Sequence, residues 1–252
     1  MTDSSGVMFL WPGRWLLVGR LEANRRHRHV AASLLWGLDG PIGLEVGGQW
    51  RETSAALVAP EVPQALDPRD GRVLVAHLDP DTEYWQTLAS CLDGADSVDL
   101  AIPASLRRLA LALPGTTGCS TADALMSELC HYHNRGPAAL DSRVASVAGR
   151  LRRSPPERLE VAALARDVGL SASRLTHLFR EETGVTLRRF LLHLKIQQAM
   201  LRWRPGMPLS ALAAEAGFHD QPHLARTARE MFDALPSRYT TAGDFRLVHC
   251  PD

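Results

Sequence analysis

Residues 164–169 read Leu-Ala-Arg-Asp-Val-Gly, and 48 positions later residues 212–217 read Leu-Ala-Ala-Glu-Ala-Gly. Each block has the properties of a helix end followed by a sharp corner. A small Ala165 (and Ala213) lets a following helix approach closely. Gly169 (and Gly217) supplies the positive-φ residue that stops the first helix and turns the chain. Leu164 and Leu212 point into the core beneath. The segment after each block predicts a second, amphipathic helix. After Gly169, Ser171 is the expected N-cap and Leu175, Leu178 and Phe179 form an apolar stripe. Ser173, Arg174, Thr176, His177 and Arg180 lie off that stripe. After Gly217, Asp220 is the expected cap and Leu224 and Phe232 the inner face. Gln221, His223, Arg226 and Arg229 then project outward. Polar and cationic side chains of these kinds reach base edges and phosphates in a major groove. One Leu-Ala-x-x-x-Gly is common in helical proteins; two copies, each followed by a capped amphipathic helix, predict a pair of DNA-reading helix-turn-helix motifs.

Between the copies, Thr186 to Trp203 is an 18-residue stretch without Pro or Gly. Phe190, Leu194, Ile196 and Leu201 are among its apolar positions. As a helix it would span about 27 Å at 1.5 Å per residue. Recognition helices on successive major-groove faces need about 34 Å, so a rod of this order suits neighbouring turns of one duplex.

These residues resemble the DNA-binding domain of the AraC/XylS transcription regulators. The resemblance runs from about Leu159 to Tyr239 and includes Leu-Ala-Arg-Asp-Val-Gly-Leu-Ser and Leu-Phe-Arg-Glu-Glu-Thr-Gly (178–184). It continues with Lys195-Ile196-Gln197-Gln198-Ala199, Ala216-Gly217-Phe218 and Leu235-Pro236-Ser237-Arg238-Tyr239. It implies two motifs, about 159–184 and 208–233, on one long helix. Ser173, Thr176 and His177 would face the bases from the first motif, and Gln221, Pro222 and Arg226 from the second. The second departs from the family pattern, with Pro222 unable to hydrogen-bond through its side chain and Leu224 and Ala228 where phenylalanines are common. It further implies a sensor or dimerisation domain ahead of the DNA-binding part, a duplex DNA partner, a homodimer, and RNA polymerase as partner of an activator.

Charge supports the division. Net charge is zero overall, but residues 1–139 carry 11 basic and 16 acidic groups against 17 and 12 in residues 140–252. The basic part suits a polyanion. The expected fold class is α+β, with a β-rich cupin-like barrel and helices over residues 1–136 and an all-α domain over 137–252. Short apolar runs at 15–18, 32–36, 56–59 and 72–76, and the alternation of Ile42, Leu44 and Val46, predict barrel strands. Thr82–Cys91, Ser105–Leu113 and Thr121–His133 follow helical spacing.

In the barrel, His27 and His29 stand on alternate residues and face one side. With Trp36 and Gln64 they are the candidate lining for a small-molecule effector; Trp50 and Trp85 are further aromatic candidates, although aromatics in a barrel are more often ordinary core. Metal-binding barrels of this type add a Glu and a later His; here Ser33 and Leu34 and then Gln64 hold those regions, and no metal or other cofactor is expected. Cys91, Cys119, Cys130 and Cys250 form no CxxC pair, which reads as ordinary thiols in a reduced compartment, with a Cys119–Cys130 switch as the alternative. No phosphate-binding Gly loop, nucleophile elbow or HExxH run is present, so no enzyme is expected. A cupin-type metalloenzyme, a DNA-repair methyl acceptor and a protein-binding module are the other classes. With no apolar run near the ~20 residues of a membrane helix and no signal-peptide pattern at Met1–Ser5, a cytoplasmic location is expected.

Overall fold

The computed structural model describes residues 6–116, 118–133, 139–204, 206–233 and 245–251. They fall into two compact units, and the second begins at Ala139.

The first unit is a β-structure with helices. Its larger sheet has seven strands, in the spatial order β10-β7-β4-β9-β2-β1-β11. They are β1 (Gly6–Trp11), β2 (Arg14–Arg20), β4 (Ala32–Gly37), β7 (Ala55–Val58), β9 (Arg72–Leu78), β10 (Ser97–Asp99) and β11 (Phe245–His249). A second sheet runs β3-β8-β5-β6, formed by His27–Arg28, Pro63–Asp67, Ile42–Val46 and Gln49–Thr53 respectively. Three helices, α1 (Glu83–Ala89), α2 (Ala104–Ala112) and α3 (Cys119–His133), complete it. Strand parity decides what each face does. Ala32, Leu34 and Trp36 of β4 share one apolar cluster with Leu74 and Ala76 of β9, with Trp85 and Leu88 of α1, and with Leu125, Met126 and Leu129 of α3. The helices therefore cover one face of the larger sheet. On the opposite parity, Gln64 of β8 donates to Ser33 of β4 at 2.7 Å, which brings the two sheets face to face. Arg14 ties strand to helix: it pairs with Asp123 of α3, and its guanidinium lies 4.2 Å from the Tyr84 ring centroid.

Two expectations are corrected here. The chain after the helices does not stay with them: β11 pairs in parallel with β1, Gly6 opposite Phe245, so the C-terminal end belongs to the barrel unit. Sequence missed β11 because its partner lies at the other end of the chain. The helical expectation beyond Asp233, up to Tyr239, falls outside the described residues. The thiols also differ. Cys119 is joined to Cys250 in a disulfide across a separation of 131 residues, while Cys91 and Cys130 are buried thiols outside any disulfide. Burial pushes the Cys130 thiol up to about 12, which keeps it protonated and inert.

A further clamp ties the turn after β4 to the start of β9. Arg72 donates to Asp39 through Nε at 2.9 Å and through a second guanidinium nitrogen at 2.7 Å, and its main-chain N–H donates at 2.8 Å. These bonds lower the Asp39 carboxyl to about 2. A depressed carboxylate contributes stability that is complete above its unfolded value near 4 and is lost as pH falls through its folded one. Wild-type protein should therefore lose thermal stability more steeply than Asp39→Asn between about pH 4 and 2. Parallel melting curves for the two across that window would refute the assignment.

The second unit is helical among its described residues: α4 (Ser142–Arg153), α5 (Val161–Asp167), α6 (Ala172–Thr183), α7 (Leu187–Arg202), α8 (Leu209–Glu215) and α9 (Gln221–Phe232). Its centre is α7. Thr186 caps it through a bond from the Arg189 N–H, and Trp203 closes it. The eighteen-residue rod read from the sequence is thus a helix of 16 residues between its two caps, about 24 Å long.

Candidate nucleic-acid interface

The two corners are built alike. Gly169 has φ 68° and Gly217 φ 74°. A methyl group built on Gly169 would meet nothing within 4 Å, so the backbone angle, and not lack of room, calls for glycine there. Gly169 N–H donates to Arg166 O at 3.1 Å and Leu170 N–H to Ala165 O at 2.8 Å. In the second motif, Gly217 donates to Ala214 O at 3.1 Å and Phe218 to Ala213 O at 2.8 Å. The same pair of bonds satisfies the last carbonyls of α5 and of α8. Leu164, Ala165, Leu212 and Ala213 are all buried behind these corners.

Each corner leads into a capped helix of 12 residues. The Ser171 side chain accepts from Arg174 N–H at 3.2 Å, and Asp220 from His223 N–H at 2.7 Å. In α6, Leu175, Leu178, Phe179 and Thr183 are buried. Phe179 packs on Phe190 of α7 with ring centroids 5.3 Å apart. In α9 the buried set is Leu224, Thr227, Ala228, Met231 and Phe232. The small Ala228 is therefore compensated by Thr227 and Met231, which the sequence reading left out.

The outward faces follow. Ser173, Arg174, Thr176, His177 and Arg180 are all exposed on α6, as are Gln221, Pro222, Arg226 and Arg229 on α9. Thr176 donates its hydroxyl to Ala172 O at 2.9 Å, which leaves its oxygen to accept. His223 differs from the others. It is half-buried, its ring stands edge-on to Phe218 at 5.2 Å, and desolvation lowers its pKa. A neutral imidazole held against Phe218 is less available than its neighbours.

The barrel candidates separate into two groups. His27, His29 and Gln64 come together: Nε2 of His27 and of His29 are 2.7 Å apart, and His27 stands opposite Gln64 in the β3–β8 ladder. His77 of β9 joins them, its ring 3.9 Å from that of His29. Trp15 stacks on His77 at 4.1 Å, and Ser33 completes the group. All six are buried. His77, Ser33 and Trp15 were missed by sequence reading; the available signal was a histidine inside the apolar run Val73–Leu78. Trp36 is a correction. It stands on the other parity of β4 and packs into the cluster under the helices, as does Trp85, while Trp50 is 58% exposed. Among the described residues, no group of three or more His, Cys, Asp or Glu is arranged to hold a metal ion.

Paired corners, paired caps and paired polar faces on one connecting helix define a double helix-turn-helix domain of the DNA-binding kind. Residues 164–242 match a family model described as a helix-turn-helix domain. Over 81 residues the chain is 33% identical to the arabinose operon regulatory protein of Salmonella typhimurium, which covers 32% of this chain and 29% of that protein. The same protein of Escherichia coli K12 is 33% identical over 81 residues, 32% and 28% of the two chains. The chain thus spans under a third of the length of the curated relatives it matches. Its whole fold is similar to that of ToxT from Vibrio cholerae, at a TM-score of 0.64 and 11% identity over 90% of this chain and 96% of that one. A form described as unsaturated fatty acid bound aligns at a TM-score of 0.59 and 12% identity, covering 93% of each. Residues 164–242 are thus similar to a helix-turn-helix domain of the kind that the arabinose operon regulatory proteins carry. No helix among the described residues is long and apolar enough to cross a membrane.

Proposed function

We propose that this chain is a sequence-specific, DNA-binding transcription regulator that reads two adjacent major-groove segments, one with α6 and one with α9. The observation that carries this reading is the duplicated element: a positive-φ corner, a side-chain cap, and a recognition helix whose polar face is left in solvent. Arginines on both faces supply affinity through phosphates, and the remaining polar groups supply selectivity through base edges. His177, Thr176 and Ser173 are the base readers assigned to the first motif. Arg226, with Gln221, serves in the second, where Pro222 contributes contact without a hydrogen bond.

The barrel unit is assigned the control of this activity, either by a small-molecule effector or by a partner. Its site is the buried group His27, His29, His77, Ser33 and Gln64, with Trp15 as an aromatic wall. Among the described residues, Oε1 of Gln64 is buried without a hydrogen-bond partner, an acceptor open to a ligand's N–H or O–H. That the Vibrio protein of like fold is described in an unsaturated fatty acid bound form supports control by a small molecule. The chain is further assigned to the cytoplasm, as a homodimer working with RNA polymerase where it activates, and no catalytic activity is assigned to it.

Selection of duplexes from a random pool by the full-length chain tests the reading. A reproducible two-segment sequence is expected, and failure to enrich any sequence would overturn it. On the selected duplex, Arg226→Ala is expected to cost about 1–3 kcal/mol and to relax specificity at its own position. Equal affinity of variant and wild type would remove Arg226 from the readout.

A further inference from the structure

Lys195 is the only lysine among the chain's 28 basic residues, and it sits in the middle of α7 with 4% of its surface exposed. An ammonium withdrawn from water is costly unless its donors are met. Its Nζ donates to the main-chain O of Glu157 at 2.9 Å, in the segment that leads from α4 into the first helix-turn-helix motif. On its other side the stem passes the corner of the second motif. A methyl group built on Gly217 would lie 3.6 Å from Lys195 Cε and 3.9 Å from Nζ. One side chain on the joining helix therefore bonds to the entry of the first motif and lies beside the corner of the second. Two further contacts run along the same rod. Arg152 of α4 donates to Gln197 at 3.3 Å, and Arg202 donates to the carbonyl of Glu215 at the end of α8.

We propose that Lys195 is a positioning residue that fixes the setting of the two recognition helices relative to each other, so that the chain reads its two DNA segments at a single spacing. This rests on the DNA-reading function proposed above. Two linked modules gain from each other only when the link holds them at the span of their sites, and freedom in the link erodes that gain. Burial lowers the Lys195 pKa, opposed by the Glu157 charge, but its hydrogen bond needs only an N–H donor.

The test uses full-length Lys195→Met on duplexes selected from a random pool by the wild type. Alongside these are duplexes with one segment scrambled and duplexes with one, three or five base pairs inserted between segments. The variant is expected to bind the single-segment duplexes within about twofold of wild type and the intact duplex about tenfold more weakly. It should also lose less than wild type on insertion. Arg226→Ala provides the contrast, weakening its own segment without changing the spacing preference. An unchanged spacing preference in Lys195→Met overturns the proposal, as does an equal loss on every duplex. Should circular dichroism find Lys195→Met less helical, Lys195→Gln takes its place: its amide is uncharged and too short to reach the Glu157 carbonyl, and the same pattern is expected. A wild-type chain that selects no duplex overturns the DNA-reading function itself and this proposal with it.

Discussion

Phe179→Ala is expected to destabilise the helical unit by about 3–5 kcal/mol, the cost of emptying a fully buried aromatic site. Phe179 is 0% exposed, as is Phe190 against which it packs. It is the inner anchor that holds α6 against α7, and α6 reaches the rest of its motif through the short α5. Neither neighbour is long enough to collapse into the space. For a domain of this size each kcal/mol moves the melting midpoint by roughly 4–8 °C, so a downward shift well above 10 °C should be seen. Circular dichroism at the helical minimum follows this unit chiefly, because its six helices carry more of the helical residues than α1, α2 and α3 of the first unit. A loss below about 1 kcal/mol would mean that α6 is held by something other than this aromatic pair.

The second large effect is on salt dependence. Arg174 and Arg180 on α6, and Arg229 on α9, are the exposed arginines of the two recognition faces that are left for phosphates once Arg226 is assigned to bases. If each neutralises one phosphate, log affinity should fall with log salt at a slope of about −2.7. Between 50 and 200 mM salt that is a loss of roughly fortyfold. The double substitution Arg180→Ala with Arg229→Ala should flatten the slope by about 1.8, with little change in which sequence is preferred. A wild-type slope near zero, or an unaltered slope in the double variant, would move the phosphate contacts to another surface.

Much of the helical unit was legible because its signals are local. Gly169 and Gly217 are needed for a backbone angle, Ser171 and Asp220 for a cap, and Leu175, Leu178 and Phe179 for a stripe; each acts within one turn of its own chain. The exposed recognition residues follow from the same periodicity, and the one that departs is instructive. His223 is half-withdrawn because Phe218, just before the helix, offers its ring a partner, a contact that helical spacing alone does not reveal.

The barrel unit was less legible because its contacts join residues far apart in the chain. Runs such as Ala32–Trp36 announce a strand but not which face meets helix and which meets the other sheet. Trp36, a candidate for the effector lining for that reason, lies instead in the cluster under the helices. His77 joins His27 and His29 only because β9 lies beside both β4 and β2, and Ser33 reaches Gln64 only across the two sheets. The Cys119–Cys250 bond has the same cause: β11 returns to β1, and no spacing rule connects residues 131 apart.

By itself the sequence determined the two corners, their caps, the rod between them and the exposed polar faces, since one turn of helix contains all the physics those features need. Only the tertiary structure decided that the C-terminal strand joins the edge of the larger sheet beside β1, that three histidines meet between two sheets, and that Lys195 lies buried between the two motifs. Each of these depends on a partner brought near by packing, and packing is settled by the whole chain at once.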